Sequence, residues 1–209
     1  GSSPIKLCFA VVEANPEFIE DTWHTVGLRG TGSHDVVLED LLVSDTWCGV
    51  VDNNSLPIPD LPFYRLPAAL RFPFPKTGVA AGLASRAIAD FKELTQSKTP
   101  LTSKKKLRDR PDAATSIAKA EALVGAGQAW VFEQLETIWT AAERGDEVSD
   151  QTHAKVRLAC SWSVQNAISA IQHLVDAAGS TANFEGSGLM ALLDDARAVA
   201  GHFMVGSYQ

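Results

Sequence analysis

The apolar positions of the chain change period partway along it. Between Ile5 and Val51 they fall in short β-branched runs, Leu7–Val12, Val36–Leu38 and Leu41–Val43, which predict strands separated by turns. The segment from Trp23 to Val37 sets Gly27, Gly30 and Gly32 among Thr31 and Ser33. Glycines supply backbone angles that other residues avoid and the hydroxyls bond locally, so this segment predicts a tight turn between two strands. Six of the ten prolines lie from Pro57 to Pro75. That density excludes a long regular element and predicts a connector over 53–75, between a β-unit over 4–52 and a helical region over 76–209.

Beyond Pro75 the period becomes helical. Gly78 to Thr95 carries Leu83, Ala87 and Phe91 at helical spacing. A second helix is predicted from Pro111–Asp112 to Arg144, with Ile117, Ala120, Val124, Val131, Leu135, Ile138 and Ala142 on one stripe and Gly145 stopping it. A third opens at Ser149–Asp150, buries Val156, Cys160, Ser163, Ala167, Ile171, Leu174 and Ala178, and ends at Gly179. The last, from Ser187 to Val205, would bury Leu192, Ala196, Val199 and Phe203. Trp130, Trp139 and Trp162 fall inside these helices and are expected to pack rather than to cage a substrate. The fold class predicted is α+β, a partial antiparallel β-unit followed by a four-helix bundle.

Composition narrows the function. The 209 residues carry a net charge of −7, so the surface field repels a phosphate backbone and nucleic acid is not an expected partner. Cys8, Cys48 and Cys160 lack metal-ligand spacing, as do His24, His34, His153 and His173; no metal is expected, and a reducing cytoplasm is the expected setting. No apolar run reaches the roughly 20 residues that cross a bilayer. Lys104–Lys106 and Arg108 lie in a predicted loop and read as a solvated surface. Gly1–Ser3 read as a cloning remnant and carry no weight in the fold.

The wording of the punctuation adds a resemblance. Gly27–Leu28–Arg29–Gly30–Thr31–Gly32–Ser33 after Trp23 and before a Val-rich strand, Lys98–Pro100, Leu107–Pro111, Ala177–Ala182, and Leu189, Asp195 and His202 in the last helix resemble the acyl-CoA dehydrogenase superfamily. The match is to its branch of monooxygenases that use reduced flavin. Its implied architecture is the second half of a β-domain joined to a helical bundle. A complete member places a helical domain and more of the β-domain ahead of such a segment, so the chain is expected to be a fragment of a longer enzyme or a shortened relative. Two positions depart from the family's last-helix pattern: Ala191 and Asp194 stand where arginines are usual.

The resemblance implies site residues. His202 would act on the substrate as a base, a role suited to imidazole because it titrates near neutral pH. Lys98, Gly179, Ser180 and Thr181 would meet the phosphate end of a flavin, FMN or FAD, in part across a subunit boundary. Asp195 precedes His202 by a spacing of about 10 Å along a helix, too far for a dyad, and is expected to pair structurally with another helix. The function implied is hydroxylation of a small aromatic substrate with reduced flavin and oxygen, the flavin supplied by a separate reductase and the bundle forming a homodimer or homotetramer. Acyl-CoA dehydrogenation, faintly suggested by Glu185–Gly186–Ser187, and a non-catalytic oligomerisation module remain alternatives.

Overall fold

A computed structural model of the protein describes residues 8–50, 61–101 and 103–206. Leu7, the connector residues 53–60 and the last three positions of the predicted helical region lie outside the described residues. Within them the chain forms two small antiparallel pairs and a helical bundle. Strand β1 (Cys8–Ala10) pairs with β4 (Cys48–Val50), and β2 (Ile19–Glu20) pairs with β3 (Asp35–Val36). In the first pair Phe9 lies opposite Gly49, and a Cβ on Gly49 would sit 2.4 Å from the Phe9 ring, so the glycine makes room for the aromatic side chain across the ladder.

The glycine-rich segment is not the tight turn its composition predicts. The β2–β3 pair encloses a broad loop over 21–34. The loop is held by side chains: the Trp23 backbone N–H donates to His34 Nδ1, the Asp35 N–H to Thr22 Oγ1, and Trp23 Nε1 to the Leu28 carbonyl. Residues 41–43 form no strand, whereas Ile19–Glu20 and Cys48–Val50 do. Those strands are too short for alternation to mark them. Several apolar side chains of this unit, among them Phe9, Ile19, Val36, Leu42 and Trp47, are exposed.

Helices α1 (Pro62–Arg65) and α2 (Ala68–Arg71) are single turns between prolines. The bundle consists of α3 (Pro73–Ser97), α4 (Pro111–Arg144), α5 (Asp150–Ala178) and α6 (Leu189–Ala200). Capping explains their limits. Pro73 and Pro111 open α3 and α4 where a missing N–H costs nothing, the Ser149 hydroxyl accepts from the Thr152 N–H, and Gly145 closes α4 at φ 73°.

The predicted stripes of α4 and α5 face inward. All seven α5 positions named from sequence are buried, with Ile171 and Leu174 at 0% exposure. Small residues then allow close approach. A Cβ on Gly127 of α4 would lie 3.0 Å from Ser163 Cα of α5, and the nearby Asn166 amide donates to the Leu123 carbonyl across the same seam. Ala80, Ala84, Ala87 and Phe91 of α3 are fully buried in the same core.

Three expectations need correcting here. Helix α6 stops at Ala200 rather than Val205, because the Gly201 N–H already closes onto the Arg197 and Ala198 carbonyls and the chain turns. Its buried row is Leu189, Leu193, Ala196 and Val199, while Phe203, past the helix end, is exposed. Trp139 and Trp162 are also exposed: Trp162 lies on the outer side of α5, away from its stripe, and Trp139 lies at the edge of the α4 stripe beside Leu135 and Ile138.

Candidate functional site

Two groups of predicted site residues lie at opposite ends of α6. At its leading end the Lys98 ammonium donates to the Ala178 carbonyl, the last of α5. A cation there complements the negative end of the helix dipole. The same contact brings Lys98 beside Gly179, Ser180 and Thr181, which form a 3-10 turn after α5. Gly179 takes φ 58°, and a Cβ there would meet nothing within 4 Å. A cation and a turn that carries a glycine and two hydroxyl residues are thus brought together from positions far apart in sequence. This donor set fits a phosphate. The cleft on the other side of Thr181 holds Asp90 and Glu93 with Arg86, and Arg86 is paired to Asp90 at 2.7 Å. The carboxylates of Asp90 and Glu93 make that cleft unfavourable for an anion.

His202 lies beyond the trailing end of α6, in a turn fixed by an Arg157 guanidinium donating to the Phe203 carbonyl. Since α6 is 12 residues long, about 18 Å of helix separates the two groups. His202 does not meet Lys98 or Gly179–Thr181 within one chain. Its ring stacks on Phe203 at 4.9 Å, and its Nδ1 accepts from the Met204 N–H at 3.2 Å. With that lone pair committed, the neutral ring carries its proton on Nε2. Burial first, and then the Lys76 ammonium, push the imidazole below its ordinary value and favour that neutral form.

Asp195 holds a different partner from the helix expected of it. Its carboxylate accepts from the Leu28 N–H at 2.6 Å, so it grips the glycine-rich loop of the β-unit. Gly27 is buried there, and a Cβ on it would lie 2.1 Å from the Asp194 carbonyl oxygen. Only glycine allows this approach. Leu28 takes φ 53° and packs its side chain on the core. Asp194 is partly balanced by Arg197 at 3.7 Å, while Ala191 is exposed. Glu185–Ser187 forms a 3-10 turn ahead of α6.

Sequence reading did not single out the residues leading away from His202. Lys76 at the start of α3 faces the Phe72 ring at 5.9 Å, and Arg71 approaches the same ring from 5.6 Å. Arg71 also lies 5.4 Å from the Phe63 ring and 5.9 Å from that of Tyr64. Its Nε is buried and has no hydrogen-bond partner among the described residues. Leaving such a donor unpaired costs about 1–3 kcal/mol, more for a charged group. Beside it opens an apolar cavity of about 600 Å³ between α1, α2, the start of α3 and the second half of α4, walled by Leu70, Phe74, Leu135, Ile138 and Trp139. The clue in sequence is the run Arg71–Phe72–Pro73–Phe74–Pro75–Lys76, two cations among aromatics at a helix start.

A short β-unit latched to a bundle of long helices, with Lys98 and the Gly179–Thr181 turn at one end of α6 and His202 beyond the other, is the arrangement the comparisons with known proteins identify. The family model for the acyl-CoA dehydrogenase C-terminal domain matches residues 76–207, and the chain belongs to that family. It is 32% identical over 197 residues to an indole-3-acetate monooxygenase of Pseudomonas putida, covering 94% of this chain and 50% of that protein. It is 28% identical to the oxygenase subunit HsaA, a flavin-dependent monooxygenase of Rhodococcus jostii strain RHA1, covering 93% and 53%. Among solved structures, XiaF from Streptomyces in complex with FADH2 and glycerol superposes with a TM-score of 0.79 at 25% identity, covering 90% of this chain and 49% of that one. The chain spans about half the length of the curated relatives it matches.

Proposed function

We propose that this chain is the helical half of a flavin-dependent monooxygenase that hydroxylates a small aromatic compound. The observation that carries the reading is the convergence of Lys98 with Gly179–Thr181, 80 positions apart at the Ala178 contact, into a cation-and-hydroxyl turn suited to a flavin phosphate. The relatives supply the branch: they are monooxygenases of indole-3-acetate and a flavin-dependent oxygenase subunit. When bound, reduced flavin supplies oxygen activation for transfer to an aromatic carbon.

His202 serves the substrate at the other end. In its observed hydrogen-bonding state it offers Nε2–H as a donor to a substrate oxygen, and it becomes a base only when Met204 N–H lets go of Nδ1. Lys76 favours the neutral ring and adds positive field for an oxygen that gains charge during hydroxylation. Because the length of α6 divides the two groups, the phosphate turn of one subunit would face the flavin that lies over His202 of another, in a homodimer or homotetramer. A separate reductase would deliver the flavin, and the exposed thiols of Cys8 and Cys48 suit a reducing cytoplasm.

Titration of the chain with FAD and with FMN, followed by flavin fluorescence, tests the cofactor assignment. Saturable binding that weakens several-fold in Lys98→Met is expected. Absence of saturable binding to either flavin overturns it.

A further inference from the structure

We propose that the apolar cavity beneath α1 and α2 is a binding site for an aromatic carboxylate, with Arg71 as its anchor. Three features converge. The cavity, at about 600 Å³, is of a size that takes a small organic molecule, and its walls are aliphatic and aromatic. Arg71 lines it, and among the described residues no group accepts from its Nε, so the site brings an incompletely paired cation to an apolar wall. The guanidinium is also held among the rings of Phe63, Tyr64 and Phe72, which fixes its plane without occupying its N–H groups.

A planar carboxylate satisfies the guanidinium, and an aromatic body fills the apolar walls. Glu136 also lines the cavity but is exposed, so water screens its charge from an anion held at Arg71. A neutral hydrocarbon would leave Nε unpaired, and a phosphate would leave the walls wet. Arg71 and Lys76 both approach the Phe72 ring, and Lys76 is the cation that acts on His202. Reading its occupant as the substrate rests on the proposed oxygenase function; the binding site itself does not.

Calorimetric titration of the flavin-free chain with 2-naphthylacetate and with the neutral 2-naphthylacetamide tests the site. The acid is expected to bind at least about tenfold more tightly than the amide. Arg71→Met, which keeps an apolar stem under the rings, is expected to bring the acid down to the amide's affinity while leaving the amide unchanged. Leu135→Trp, which fills the cavity and keeps Arg71, is expected to abolish both. Equal binding of acid and amide to the unmodified chain overturns the anchor even if Arg71→Met fails to fold, and undiminished binding to Leu135→Trp overturns the location. No flavin is present, so failure here is distinct from failure of the flavin titration.

Discussion

Burial pushes the Cys160 thiol up to about 12, whereas Cys8 and Cys48 are exposed. Since the thiolate is the reactive species, native protein treated with a chromogenic disulfide reagent is expected to release two equivalents quickly and the third only on unfolding. His202 offers a second check at this scale. Lys76→Met removes a cation that lowers its pKa, so the imidazole titration followed by proton NMR is expected to move up. The sign for stability follows from the lowered folded value. The unfolded chain binds more protons between that value and about 6.5, so stability falls as pH drops through this window and levels off below it. In Lys76→Met this acid loss should shrink. Of these residues the sequence made His202 visible through its place in a pattern, but its partners Met204 and Lys76 depend on a turn after α6 and on the packing of α3. Neither leaves a local signature.

The latch between the glycine-rich loop and α6 makes a prediction at the scale of elements. Gly27→Ala forces a methyl group into the Asp194 carbonyl and is expected to cost about 1–3 kcal/mol. Asp195→Ala leaves the Leu28 N–H without its acceptor, at about 1–3 kcal/mol if the site stays dry. In both variants limited proteolysis should cut within 21–34 faster than in the parent protein, while cleavage within α4 and α5 should be unchanged. The long helices were legible because stripes of seven positions repeat at helical period and glycines or prolines close them. The β-unit was legible only as a region. Its strands span two or three residues, and Gly27 serves a contact with α6 that lies far away in sequence, so a tight hairpin is the natural expectation from composition alone.

For the whole molecule, the separation of Lys98 from His202 by the length of α6 predicts independence. Lys98→Met is expected to loosen the end of α5 by about 0.3–1 kcal/mol, seen as faster hydrogen exchange at residues 175–178, with no change in the His202 titration. His202→Ala is expected to leave exchange at the end of α5 untouched. Their effects on stability should add within about 0.5 kcal/mol in the double variant. Coupling well above that would mean the bundle transmits strain along α6.

The Leu28–Asp195 bond joins positions 167 residues apart. Synthesis runs from the first residue to the last, so the β-unit emerges from the ribosome long before the carboxylate that holds it. The β-unit, made before α6, is fastened only once α6 has formed. Until α6 has formed, the exposed apolar side chains of Phe9, Ile19 and Val36 have no anchored scaffold behind them. Nascent chains stalled before residue 195 are therefore the form of this protein that most needs a chaperone.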